Sequence, residues 1–397
     1  MFLGGDIAKQ MPIEAKKFSK INKDWEKLMI KASETKLVLV SCSNENLKSM
    51  LPVIYLELEK CQKSLEGYLE QKRNKFPRFY FVSNPVLLLI LSQGSDPQQI
   101  QPHYEKLFDS INRVVHSRLD KVMITEIQSS IGDTKETVVL NKPVRCVGTI
   151  EDWLGEIERE MQRTLKKLCE VASIDCSAMP LRKFVEKNCG QFALLGIQLN
   201  WTQQCSEALN TAKSNKNVLN EVSRAQASIL HDLSSWCLED LGSAMNRVKV
   251  ETLVTVQVHQ RDVYSELCQL YKERKIKDAS DFDWLKQTRF TWQVNGVDNH
   301  GEGACLISIC DVDYKYNYEY LGCKDRLVIT PLTDRCFITL SQAMGMCLGG
   351  APSGPAGILI DPMIFIRLIY NTSLTTYVKF RHWKNGNFIS NLSYNFH

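Results

Sequence analysis

No two cysteines stand at CxxC spacing, although the chain has 14 of them, scattered from Cys42 to Cys347. Zinc sites are built from such pairs or from closely spaced histidines, and neither accompanies these thiols, so no metal site is expected. No stretch approaches the roughly 20 apolar residues that a membrane-spanning helix needs. The opening Met1-Phe2-Leu3-Gly4-Gly5-Asp6 lacks a basic start and a sustained apolar run, which predicts no secretory signal. Reduced, buried thiols in a cytosolic setting follow as the expectation. Charge of one sign is scarce too, since 49 Lys and Arg stand against 45 Asp and Glu, leaving +4. The two signs interleave, as along Glu156–Lys167, which describes a solvated helix face and gives no case for nucleic acid.

With 397 residues, 44% of them apolar, the chain can bury a large core in two or three domains. Its first two thirds read as mostly helical. Leu58, Cys61, Leu65, Tyr68 and Leu69 recur at helical spacing within Glu57–Arg73. Phe76-Pro77 ends that helix, because proline disfavours helical geometry in the residue before it. Arg78–Val82 reads as a short aromatic strand. Asn84-Pro85 opens a helix through Val86–Gln93 that stops at Gly94, and Asp96-Pro97 restarts one toward Val114.

From Lys121 the period changes to two. Val122, Ile124 and Ile127, a turn at Ser129–Asp133, and Thr137–Leu140 predict a hairpin near residues 121–141. Thr149 and Asp152 resemble a capping box. They open an amphipathic helix with the stripe Trp153, Leu154, Ile157, Met161, Leu165 and Leu168. Further helices are predicted at Gln191–Leu209, Val218–Met245 and Thr252–Tyr271. This part offers no catalytic constellation. Its histidines are dispersed, and His231 or His259 alone on a helix reads as structural, since catalysis needs convergent partners.

Beyond Asp281 the texture shifts. Phe282–Leu285 leads into Arg289–Trp292, a turn-rich stretch, and Cys305–Ile309, which predicts two strands joined by a loop. Tyr314, Tyr316, Tyr318 and Tyr320 alternate with polar residues, as in an aromatic strand face or a packed loop. An apolar helix is expected over Cys336–Leu348, followed by Gly349–Gly357. Such glycines let backbone N–H groups converge on anionic oxygens, as in a phosphate loop. Gly354 would open the pattern G-x-x-x-x-G-K-[ST], but positions 359 to 361 are Leu359, Ile360 and Asp361. The lysine that reaches the outer phosphates is missing, as is the hydroxyl that holds magnesium. Ile358–His397 fits nothing before it, and its two glycosylation sequons at Asn371 and Asn391 read as chance matches.

Leu327–Arg335, with Phe337–Met346 and Gly349–Gly357, is very similar to the run into the first nucleotide-binding loop of dynein heavy chains. Leu58–Leu65, Phe76–Phe81, Asp96-Pro97, Gln101–His103, Gln257–Asp262 and Phe282–Leu285 match upstream, so the resemblance covers roughly residues 1–357, with an axonemal flavour. It implies a mostly α fold: an elongated helical-bundle linker over residues 1–280 with its small hairpin, then an incomplete α/β AAA+ module over 281–357. Residues 358–397 would be an unrelated, poorly ordered tail.

The family consists of ATP- and magnesium-dependent, minus-end-directed microtubule motors. The resemblance thus implies a mechanical lever, working with the rest of the motor ring, microtubules and intermediate and light chains in the cytoplasm, cytoskeleton and ciliary axoneme. Neither nucleic acid nor membrane is implied as a partner. By resemblance Val328, Pro331 and Leu332 pack around adenine, and Gly354 and Gly357 begin the phosphate loop. The chain would break off inside that loop, bind no nucleotide tightly and have no catalytic or metal-binding residue of its own. A truncated regulatory isoform that docks on other dynein subunits is the alternative.

Overall fold

The computed structural model describes residues 10–94, 96–129, 135–215, 217–294, 303–324, 329–346 and 348. By contact the chain divides into two compact units. One comprises residues 1–108, 112–125 and 143–158, and the other 109–111, 126–142 and 159–397.

In the first unit, α1 (Pro12–Thr35) and α3 (Glu45–Lys75) flank the short α2 (Val38–Cys42). Their shared core is small: Ile21, Ile54 and Cys61, with Leu28 against them. Helix α3 begins a dozen residues upstream of the predicted start. Asn44 caps it by accepting from the Asn46 N–H at 3.1 Å, and Pro52 is tolerated within it. It ends where predicted, with Phe76 extended at φ −131° ahead of Pro77.

Of residues 78–82, expected as a strand, 78–81 belong instead to a 3-10 turn over Pro77–Phe81, and Val82 follows it extended. A 3-10 turn eclipses residues three apart, whereas a strand would send them to opposite faces. That places Phe76 and Phe79 edge to face with centroids 5.0 Å apart, both buried. Helix α4 (Asn84–Ser92) follows as predicted and buries Leu87, Leu88, Ile90 and Leu91. The helix expected from Pro97 to Val114 does not run that far. A 3-10 turn over Pro97–His103 and the short α5 (Tyr104–Leu107) give way to strand β1 (Ile111–His116). Pro102 removes a helical donor, and the β-branched Ile111, Val114 and Val115 favour the pleat.

The predicted hairpin is present as β2 (Met123–Ser129) and β3 (Thr137–Arg145), in a three-stranded sheet of order β1-β2-β3. Next comes α6 (Ile150–Ala178). Thr149 donates to the Asp152 carboxylate at 2.5 Å at its start. Trp153, Leu154, Ile157, Met161 and Leu165 are buried as the stripe predicts, while Leu168 is half-buried.

In the second unit the short α7 (Leu181–Lys187) precedes α8 (Gly190–Thr211), α9 (Asn217–Trp236) and α10 (Ala244–Lys272), and these last three surround a core. It contains Trp201, Cys205, Leu209, Leu219, Tyr264, Leu267 and Trp284. The single helix expected over Val218–Met245 is broken after Trp236. Gly242 turns the chain at φ +70°, and Ser243 caps α10 by accepting from Asn246 N–H at 3.1 Å. After α11 (Phe282–Leu285), strands β4 (Arg289–Gln293), β5 (Ala304–Ile309) and β6 (Val312–Lys315) form an antiparallel sheet in that order.

Around this sheet Trp284, Ile307 and Ile309 are 1%, 3% and 1% exposed. Phe290 and Trp292 are half-buried. Helix α8 supplies the surface: Trp201 stacks near Trp284, and Thr202 Oγ1 accepts from the Phe290 N–H at 3.1 Å.

Candidate nucleotide-binding segment

The stretch singled out by the sequence begins with helix α12 (Pro331–Gly345). It starts five residues before the expected Cys336, because the local chemistry at Thr330 sets its N-terminus. Thr330 Oγ1 accepts from the Thr333 N–H, Thr333 Oγ1 accepts in return from the Thr330 N–H at 2.7 Å, and Pro331 occupies the first turn, where its missing N–H costs nothing. The helix lies against β6, and its Phe337, Leu340 and Ser341 are buried. Tyr314 donates to the Ser341 carbonyl at 2.6 Å, and Ile338 packs against Ile309 and Cys310.

Charge near the start of α12 is balanced from other elements. Lys286 pairs with Asp283 at 2.9 Å. Burial opposes its charge, but Asp283, Glu266 and Asp334 together hold its pKa above the usual value. Burial raises the Asp334 carboxyl pKa, with Lys286 acting against that rise.

Upstream of α12 the chain forms a strap, residues 316–324, bound at several points. The Cys305 N–H donates to Tyr318 Oη at 2.9 Å. Gln191 donates to the Glu319 carbonyl at 2.8 Å and accepts from the Leu321 N–H at 3.0 Å. Ser110 Oγ donates to the Leu321 carbonyl at 2.9 Å, and Lys324 pairs with Asp109. Tyr320 Oη donates to Glu136 Oε2 at 3.0 Å, while Glu136 Oε1 accepts from the Gly190 N–H at 2.7 Å, at the positive end of α8. Lys249, itself buried, sits 3.8 Å from Glu136 and donates to the Asn188 carbonyl at 2.7 Å. Burial and the Glu136 charge push the Tyr320 phenol pKa far above its usual value. The strap lies so close to α8 that a Cβ on Gly190 would come within 2.6 Å of Cys323 Cβ. The tyrosine alternation thus begins on β6 with Tyr314 and continues from Tyr316 to Tyr320 in a packed loop.

Of the predicted site residues, Pro331 is the exposed first residue of α12, and Leu332 lies in the same helix with its side chain outside the described set. Val328, Gly354 and Gly357 lie outside the described residues, as do the glycine loop and Leu359–Asp361. Glu136, Gln191 and Lys249 escaped sequence reasoning, because a carboxylate beside a turn carries no local sign of burial. Positions 359 to 361 are Leu359, Ile360 and Asp361, where the pattern opened at Gly354 has a glycine, a lysine and a hydroxyl residue. Among the described residues, no group of three or more His, Cys, Asp or Glu side chains could hold a metal ion. All described cysteines are free thiols, and no described helix is long and apolar enough to cross a membrane.

Two family models match the chain. "Dynein heavy chain, N-terminal region 2" covers residues 1–172, and "Hydrolytic ATP binding site of dynein motor region" covers 316–358, beginning where the strap begins. Among curated relatives, axonemal heavy chain 5 of Rattus norvegicus is 45% identical over 362 residues, which are 90% of this chain and 10% of that protein. The flagellar outer-arm dynein gamma chain of Chlamydomonas reinhardtii is 44% identical over 359 residues, again 90% of this chain and 8% of that protein. Human axonemal heavy chain 2 is 38% identical over 370 residues, with 90% and 8% covered. The chain therefore spans a tenth or less of these relatives' length. With two dynein-specific models matched in order and axonemal relatives aligned along nine tenths of its length, this chain belongs to the dynein heavy chain family.

Proposed function

We propose that the chain is the stretch of an axonemal dynein heavy chain in which the mechanical linker runs into the first ATP-binding module. Residues 1–280 are read as the linker-like helical part, with its hairpin near 121–141. Residues 281–357 are read as the start of the first AAA+ module, and 358–397 as an unrelated tail. The observation that carries this reading is the order of the two matches, the N-terminal heavy-chain region at 1–172 and the ATP-binding region from 316. On this reading the helices transmit force and perform no chemistry. ATP and magnesium act in the complete motor, whose ring, microtubule track and intermediate and light chains are its partners in the cilium.

The chain alone carries no step of ATP hydrolysis, because positions 359 to 361 offer no phosphate clamp. Titration calorimetry with Mg-ATP tests this. A dissociation constant of about 1 mM or weaker and no turnover are expected, since the contacts that remain are on the adenine side. Micromolar affinity would overturn the assignment.

A further inference from the structure

Glu136 occupies an unusual position for a carboxylate, 7% exposed and joined to three separate parts of the chain. It ends the turn side of the β2–β3 hairpin, where its N–H donates to Ser129 Oγ and its carbonyl accepts from the Ser129 N–H, both at 3.0 Å. Its side chain meets the first amide of α8, the phenol of Tyr320 and the ammonium of Lys249. A buried anion is tolerable only with such partners, and removing it would strand a phenol, an amide and a cation away from water. Tyr320 is fully buried and lies in the middle of the strap, whose first residue is also the first matched residue of the ATP-binding region.

We propose that Glu136 is a positioning residue for the ATP-binding region: it locks the strap, residues 316–324, onto the start of α8, so that the strap and α12 open as one unit. The proposal rests on the assignment of the downstream segment to the first ATP-binding module. Gln191 acts beside it by bonding both flanks of Tyr320, at the Glu319 carbonyl and the Leu321 N–H. The side of the hairpin held by Ser129, the start of α8 and the entry to α12 then share one clasp.

Hydrogen exchange with mass spectrometry on the full chain tests the clasp. Tyr320→Phe keeps the ring and removes only the hydroxyl. It should accelerate exchange in peptides covering 316–324 and 331–345 by about tenfold, while α9 stays within about twofold of the parent. Glu136→Ala should do the same, the double variant should add nothing to the stronger single change, and Glu136→Gln should restore part of the protection through its amide oxygen. Uniform acceleration that includes α9 would reduce Glu136 to a general stabiliser and overturn the proposal. Opening of the strap with α12 unchanged, or no opening at all, would overturn it as well. Should Glu136→Ala fail to fold, Tyr320→Phe carries the test alone. Exchange is read without nucleotide, so a failure here is distinct from a failure of the Mg-ATP titration.

Discussion

Trp201 and Trp284 lie with ring centroids 5.2 Å apart and planes inclined at 58°, joining α8 to the segment that opens the second sheet. Both indoles are almost fully buried. The stretch after residue 280 is thus anchored in the same core as the helices before it. Trp284→Ala should cost about 3–5 kcal/mol, the usual range for truncating a buried tryptophan, with Trp284→Phe well below that. Urea unfolding followed by far-UV circular dichroism measures it. A cost under about 1 kcal/mol would mean that the indole pair does not hold this core.

Arg78 is a buried cation in the other unit. Its guanidinium bonds Glu158 at 2.9 Å and lies 4.6 Å from the Phe108 ring centroid. Removing Arg78 leaves the partly exposed Glu158 carboxylate without this cation, so Arg78→Ala should destabilise by about 2–4 kcal/mol, less than for a fully buried pair. Arg78→Lys should lose much of the same stability, because an ammonium cannot reproduce the planar fork over the ring. If Arg78→Lys matched the parent in chemical denaturation, charge alone would account for the site.

Periodicity made the long helices legible. The stripe from Trp153 to Leu165 is buried as written, and the Phe76-Pro77 stop and Thr149 start stand where local chemistry places them. The 3-10 turn at Pro77–Phe81 was not legible, because its three aromatic residues, Phe79, Tyr80 and Phe81, suit a strand as well until Phe76 finds Phe79. The break after Trp236 was misread although Gly242-Ser243 carries a turn and cap signal, since apolar spacing on both sides masks it. The clasp at Glu136 depends on contacts across 54 and 184 residues, which no local pattern encodes. The glycine loop was the clearest chemical signal in the sequence, and the missing lysine was read from the same residues.

Gly345 ends α12 against β6, and a Cβ there would approach Val312 Cγ2 to 2.8 Å and Cγ1 to 2.9 Å. Helix propensity alone favours alanine over glycine by about 1 kcal/mol. The clash is with a stiff β-branched side chain, so it should win. Gly345→Ala is expected to loosen the docking of α12 by about 1–3 kcal/mol, and Val312→Ala in the same chain should restore it. Exchange protection over 331–345 reads the outcome. Protection equal to the parent in the single variant would show that the helix end can shift without loss.

Acid sensitivity should set in well above the carboxylate range. Burial is the leading cause that lowers the pKa of His103, His116 and His259, with Lys106 adding to it at His103. Asp96 and Asp262 oppose the shift at His116 and His259 without reversing it. A histidine held neutral in the folded state binds fewer protons than the same residue unfolded. Its stabilisation is therefore complete above the unfolded pKa of about 6.5 and is lost as pH falls through that value toward the folded pKa. Glu151 works in a lower window. Burial tends to raise its pKa, but Lys72, 2.5 Å away, and further hydrogen bonds bring it below the usual value. Its contribution persists until pH drops below the ordinary carboxylate value of about 4.3. The urea midpoint should accordingly fall between pH 7 and 5, before Glu151 titrates, and His259→Gln should flatten part of that slope. A midpoint constant from pH 7 to 5 in the parent chain would show that these imidazoles are protonated within the fold.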